Sequence, residues 1–273
     1  MRPFNYARPQ SLREASQLLS THTGRAALMA GGTDLIVQMG RGLHSLELAI
    51  DIKRVSDLGD QVEKMPGGVR IGALTRLEDL AANEVVRASF PALSEAAGSV
   101  GSVQIRSRAT IAGNICNASP AADTAPPLLA YGAQVNIFGI AGRRTLSMER
   151  FFTAPGKTAL LPGEIVESLD LAFPKEGTGS AFERLARRAG MDVASVSVAC
   201  LVWHSGSVRL GFGAVGPTPI VAEGEETDSM DWVGEYVKPV SDIRAGEDYR
   251  RAMVVALSRR AVKRSRKRMG EDA

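Results

Sequence analysis

Residues 109–126 read ATIAGNICNASPAADTAP. Gly, Asn, Ser, Pro and Ala dominate, and nothing repeats with the period of a helix or a strand, so residues 106–127 are predicted to form a long loop inside a regular domain. Thr110, Ile111, Ala112, Gly113 and Asn114 supply a hydroxyl, a glycine and an amide side chain. Asp123, nine residues past Asn114, supplies a carboxylate able to accept from a sugar hydroxyl or a ring nitrogen. A second loop of small residues, Ala30-Gly31-Gly32-Thr33-Asp34, stands about eighty residues earlier, between the apolar runs 26–30 and 35–37. Its glycines let the backbone approach an anion, and Thr33 with the amides at a following helix start could bond phosphate oxygens. Either loop alone also fits a plain capped turn. Two such loops in one domain fit a ligand with a pyrophosphate in its middle.

Outward from these loops the chain reads as short alternating helices and strands, which argues against an all-helical or all-β architecture. Ser11 with Glu14 is a capping box before the helical spacing of Leu12, Ala15, Leu18 and Leu19. Strands are expected over 26–30, 46–52 and 69–73, the last entered from the turn Gly67-Gly68, with a helix following from Thr75. Leu93, Ala96, Ala97 and Val100 fall at helical spacing and give a narrow, small-residue face suited to close packing on something flat. A composition shift across 174–179 marks the expected boundary between a domain of residues 1–174 and one of residues 175–273. In the second domain, 195–203 and 208–212 read as antiparallel strands, and a helix closes the chain from about Asp248.

Composition excludes several classes. With 273 residues and 44% hydrophobic content the chain can bury two cores. No apolar run nears the roughly eighteen residues of a membrane span, and the first ten residues lack secretory order, so a cytoplasmic location without membrane attachment is expected. Cys116 and Cys200, the two cysteines, cannot supply the four thiolates of an iron-sulfur cluster. His22, His44 and His204 have no ligand spacing around them, so no metal site is expected. The formal charge of +3 is concentrated at the end: residues 259–273 hold seven Lys or Arg and two acids, leaving a slightly acidic body. Without interleaved aromatics this basic tract reads as a solvated helix end, and no nucleic-acid partner is expected.

Gly211-Phe212-Gly213-Ala214-Val215-Gly216 matches GxGxxG literally. Pro217 and Pro219 follow at once and block the helix whose start would hold a pyrophosphate, so a nucleotide role fails on mechanism. No Ser-His-Asp order or P-loop is present, and Glu164, Glu167 and Glu183 read as solvated faces. No catalytic residue is nominated.

The pair AGGTDL (residues 30–35) and ATIAGNICNASPAADTAP resembles the two FAD pyrophosphate loops of the medium subunit of molybdenum hydroxylases of the xanthine dehydrogenase and carbon monoxide dehydrogenase type. RPFNYARPQSLREA, SVQIRSRATIAGN, PGEIVESLDL, FERLARRAGMDVASVSVA and GFGAVGPTP agree in order along most of the chain. The resemblance implies an α+β fold: a two-lobed, vanillyl-alcohol-oxidase-like FAD-binding domain of the PCMH type, then a small α/β C-terminal domain with an antiparallel sheet. It implies cofactor contacts from Leu28, Met29, Ala30, Gly31, Gly32, Thr33, Asp34 and Leu35 in the first loop. The second would contribute Ala109, Thr110, Ile111, Gly113 and Asn114, with Asp123 at the polar groups and Ile165 and Val166 near the flavin or adenine end. Ala112 stands where many relatives carry glycine, which requires that its φ not be positive. Glu183 stands where the eukaryotic xanthine enzymes carry lysine. The implied function is electron transfer from partner iron-sulfur clusters through FAD to NAD or another acceptor. The partners would be a large molybdenum-cofactor subunit and a small iron-sulfur subunit, in a dimer of heterotrimers. The alternative is a stand-alone FAD-dependent oxidoreductase of the vanillyl-alcohol-oxidase type.

Overall fold

The computed structural model describes residues 2–43, 45–188 and 190–270. The first unit alternates strand and helix: β1 (Asn5–Ala7), α1 (Leu12–Thr21), β2 (Ala26–Met29), α2 (Leu35–Gly40) and β3 (Leu48–Asp51). The strands form a parallel sheet in the order β1-β3-β2. The Ser11 hydroxyl accepts from the Glu14 amide, as the capping box requires, while the Glu14 carboxylate reaches back to the amide of Gln10 rather than of Ser11.

The second unit begins with the hairpin β4 (Val62–Met65) and β5 (Gly68–Gly72). A run of short helices follows: α3 (Leu77–Ala82), α4 (Glu84–Ser89), α5 (Pro91–Ser99), α6 (Val103–Arg106), α7 (Ile111–Cys116) and α8 (Ala125–Ala130). Then come β6 (Gln134–Gly139), β7 (Gly142–Ser147), the small hairpin of β8 (Phe152–Ala154) with β9 (Lys157–Thr158), and β10 (Ile165–Ala172). These build an antiparallel sheet in the order β4-β5-β10-β6-β7, with the late strand β10 inserted at its centre.

A four-stranded antiparallel sheet follows, β11 (Thr178–Leu185), β12 (Val196–Trp203), β13 (Ser207–Gly213) and β14 (Ile220–Glu225), with α9 (Val233–Tyr236) and the long α10 (Glu247–Arg268). Period-two alternation gives this sheet two working faces. Val196, Val198, Cys200 and Val202 join Val254, Leu257 and Ala261 of α10 in one core. Ala199 and Leu201 point the other way, onto Ala92, Ala96 and Ala130. The small-residue face expected on α5 is therefore split: Ala92 and Ala96 lie on this sheet, while Leu93 and Ala97 belong to the core of the second unit. Fully burying a side chain such as Leu257 contributes about 1.5–3 kcal/mol.

The expectation of an irregular loop over 106–127 fails locally. Ile111–Cys116 and Ala125–Ala130 are helical because Thr110 caps the first, whose Ile111 and Ile115 are fully buried, and Pro126 and Pro127 sit in the first turn of the second. Their apolar positions are too few for a period to show in sequence.

Candidate functional site

A cleft of about 970 Å³ opens between the first two units, and the segment joining β11 to β12 reaches into its wall. Every residue nominated from sequence lines it except Met29 and Ile111. Ile111 is wholly buried in the core, and Met29 sits at the end of β2, its carbonyl accepting from Ile52.

The first loop is held from behind. The Lys53 ammonium donates to the Ala30 carbonyl at 3.3 Å and pairs with Asp51 at 2.6 Å, and Asp51 also accepts from the Tyr6 hydroxyl. Gly31 is required by the other loop: a Cβ there would stand 2.1 Å from the Arg108 carbonyl oxygen. Gly32 has φ +74°, open to glycine and strained for other residues, yet a Cβ would meet nothing closer than 3.5 Å. Among the described residues, the amides of Gly32, Thr33 and Asp34 have no hydrogen-bond acceptor, and all three residues line the cleft.

The second loop commits all of its amides except that of Thr110. Ile111 donates to Thr75 O at 3.0 Å, Ala112 to Ala73 O at 3.4 Å, Asn114 to Thr110 O at 2.9 Å, and Gly113 to the Thr110 hydroxyl at 3.1 Å. Gly113 serves this cap, since a Cβ would sit 2.9 Å from Thr110 Oγ1. Ala112 is helical and does not have positive φ, so its methyl is accommodated. The Asn114 side chain accepts from the Thr124 hydroxyl at 2.6 Å, which leaves its amide nitrogen as a donor.

Asp123 is 7% exposed, and Arg184 Nε of β11 donates to its Oδ1 at 3.2 Å. Burial pushes its carboxyl up to about 6, Arg184 holding the rise back. Leu160, Leu161, Pro162, Gly163 and Glu164 complete one wall with Ile165 and Val166. Arg188, Met191, Asp192 and Val193 arrive from the β11–β12 segment. These, together with Val100, Gly101 and Ile105, were missed from sequence. The stretch 182–199 signalled family kinship there, and no local pattern marks a connection that projects onto another unit.

The remaining candidates resolve as structure. Gly211 and Gly213 lie on β13, where a Cβ would stand 2.0 Å from Pro126 O and 2.4 Å from Ser197 Oγ, so they admit α8 to the sheet. Glu164, on the cleft wall, pairs with Arg144 at 2.7 Å; Glu167, paired with Arg143 at 2.8 Å, and Glu183, paired with Arg264 at 2.7 Å, lie away from the cleft. His22 contacts Leu18 O at a helix end, His204 packs on the Gly177 turn, and His44 lies outside the described residues. Burial raises the thiols of Cys116 and Cys200 to about 12, so both are protonated at neutral pH.

A family model described as the FAD binding domain in molybdopterin dehydrogenase matches residues 2–174. The xanthine dehydrogenase FAD-binding subunit of Escherichia coli O157:H7 is 31% identical over 94% of this chain and 94% of its own. The carbon monoxide dehydrogenase medium chain of Hydrogenophaga pseudoflava is 31% identical over 95% of this chain and 96% of its own. A solved structure of carbon monoxide dehydrogenase from Hydrogenophaga pseudoflava superposes with a TM-score of 0.92 at 30% identity, covering 98% of this chain and 99% of that one. By these likenesses over most of its length, the chain belongs to the FAD-binding subunits of molybdenum hydroxylases of the xanthine dehydrogenase and carbon monoxide dehydrogenase type.

Proposed function

We propose that this chain holds FAD across the cleft and relays electrons between partner-borne redox centres and a final acceptor. The observation that carries the reading is the row of free amides at Gly32, Thr33 and Asp34, set opposite the Arg108–Asn114 segment at a distance fixed by Gly31. Amides without acceptors at a cavity wall suit an anionic diphosphate, which needs fixed donors and close backbone approach. The groups present fit the cofactor. The first loop would bond the diphosphate, Asp123 would accept from a hydroxyl or ring N–H, and Leu28, Ile165 and Val166 would supply an apolar wall to a planar ring.

Bound FAD supplies reversible exchange of one or two electrons, and the chain's residues bind it, orient it and limit water access. Two cysteines on separate units fall short of the four thiolates of an iron-sulfur cluster, which supports a partner as electron source. The arrangement we infer is a large molybdenum-cofactor subunit and a small iron-sulfur subunit, as a dimer of heterotrimers, with NAD or another acceptor receiving electrons. Relatives named as medium chains support a multi-subunit assembly. Among the described residues no helix is long and apolar enough to cross a membrane, and we place the complex in the cytoplasm. Division into a FAD-binding domain of residues 1–174 and a C-terminal domain of residues 175–273 is supported by the family match ending at 174 and by the separate sheet that starts at Thr178.

The test is reconstitution. The purified chain mixed with FAD and desalted should retain one flavin per chain by absorbance, and a chain that emerges colourless rejects the reading. Co-purification of the tagged chain from its host should bring iron-sulfur and molybdenum subunits with it. A chain that travels alone and whose flavin is reduced directly by a substrate would favour the stand-alone oxidoreductase.

A further inference from the structure

Asp123 sits on the second-loop side of the cleft, and its ion pair comes from elsewhere in the fold. Arg184 lies near the end of β11, in the C-terminal sheet; its side chain is 15% exposed and that of Asp123 8%. The guanidinium is shared: Nε donates to Asp123 Oδ1 at 3.2 Å, and a terminal nitrogen donates to the carbonyl oxygen of Asp192. Asp192 and Asp123 both line the cleft, whereas Arg184 does not. The Asp192 carboxylate is also buried, with Oδ1 bonded to the Val193 amide and Oδ2 lacking a hydrogen bond, 3.8 Å from Arg187 and 3.9 Å from Arg188. A planar fork suits one cation to two acceptors on different elements, which a lysine ammonium matches less well.

We propose that Arg184 is a positioning residue of the cofactor cleft, which holds Asp123 in its ionised form and fixes it relative to Asp192, so that the C-terminal sheet sets the charge presented by the second-loop side. Its consequence for the cofactor rests on the FAD reading above; the coupling to Asp123 does not. A carboxylate this buried is costly to ionise, and removal of its cation leaves the cost uncompensated. The other titratable groups facing the cleft are Asp34, Cys116, Glu164, Arg188 and Asp192. Glu164 is held by Arg144, Asp192 faces Arg187 and Arg188, and the Cys116 thiol titrates far above neutrality. Burial also raises the Asp34 carboxyl, so the readout must be specific to Asp123.

The experiment is carbon-13 NMR of the full chain labelled at aspartate carboxyls, with the Asp123 resonance identified by its loss in D123N. In the FAD-free wild type we expect a titration midpoint near 6. In R184M it should rise by about one unit or more, since an opposite charge at this range lowers a carboxylate by about 1–3 units. R184Q, which removes the charge but keeps donors toward Asp192, should shift it likewise and serves if R184M does not fold. R184K should stay nearer to wild type. A midpoint unmoved in R184M or R184Q overturns the proposal. With FAD, R184Q should bind several-fold more weakly than wild type at pH 7 and recover as pH is raised through its own Asp123 midpoint, a pattern that a distorted cleft would not give; a deficit constant with pH overturns the cofactor part. Should the wild type bind no FAD, the FAD reading fails while the NMR titration still decides the role of Arg184.

Discussion

Two loops of like composition, residues 30–34 and 109–114, meet back to back at Gly31 and Arg108, and they differ in how far their backbone donors are committed. Among the described residues the first leaves the amides of Gly32, Thr33 and Asp34 without acceptors, while the second commits those of Ile111, Ala112, Gly113 and Asn114 to Thr75, Ala73 and Thr110 and leaves that of Thr110 uncommitted. What separates them is local topology. The first turns from a strand into α2, whose start has no side-chain cap, whereas the second is bridged to Arg76 and capped by its own threonine. A pair that looks symmetric in sequence thus divides into a gripping loop and a bracing loop, with glycine used on both sides mainly for internal approach.

The largest effect should follow from placing a negative charge in the gripping loop. If the diphosphate lies at the first loop as proposed, Gly32→Asp sets a negative charge against it, and retained flavin should fall below about one tenth of wild type by absorbance ratio, through repulsion added to loss of backbone approach. Gly32→Ala is the control: it has room for its methyl and pays only for φ +74°, about 1–2 kcal/mol, so it should keep flavin while melting earlier. Equal flavin loss in both would mean that shape rather than charge governs the first loop. Gly31→Ala ranks next. A methyl 2.1 Å from a carbonyl oxygen forces the loops apart at a cost of about 3 kcal/mol, read as a lower denaturation midpoint with or without FAD.

Much of this was readable in the chain. Ser11 with Glu14, the turn at Gly67, the hairpin around 204–207 and the final helix all announce themselves through caps, turns and periods. The cleft was legible along its loops, because Gly31, Gly32, Gly113 and Asp123 are local signals, and through the family resemblance at Leu28, Ile165 and Val166. Leu160 to Glu164 and Arg188 to Val193 reach the same wall through strand order, β10 inserted at the centre of its sheet and β11 turned toward the second unit, and no periodicity encodes which element a connection will meet. The helices inside 106–127 were hidden for a different reason: six residues are too few to establish a period, and tertiary bonds from Ala73 and Thr75 stabilise the first of them.

The bracing side carries the next effect through Asp123, whose folded midpoint near 6 lies above the ordinary value of 3.8. The folded state therefore binds this proton more tightly than the unfolded chain does. Stability from the group is present below about pH 4 and is lost as pH rises to about 6. Asn at this position does not titrate, so the unfolding free energy of Asp123→Asn relative to wild type should move in the mutant's favour by on the order of 2–3 kcal/mol between those limits. Above pH 7 the difference should be flat. Chemical denaturation of the FAD-free proteins at pH 4.5, 5.5, 6.5 and 7.5 measures it, and a pH-independent difference would place the titration elsewhere.

The smallest effect is the sharpest probe of the division of labour. Thr110→Ala removes the hydroxyl that accepts from Gly113, and loss of such a cap costs about 1 kcal/mol of stability. The same change frees the Gly113 amide toward the cleft, which makes the bracing loop resemble the gripping one at a single donor. If bracing is its role, FAD affinity should change by less than about threefold while the melting temperature falls, because a donor gained at the wall offsets order lost in α7. If affinity instead falls about tenfold with the melting temperature unchanged, the Thr110 hydroxyl itself grips the cofactor and the two loops are alike in function as they are in composition.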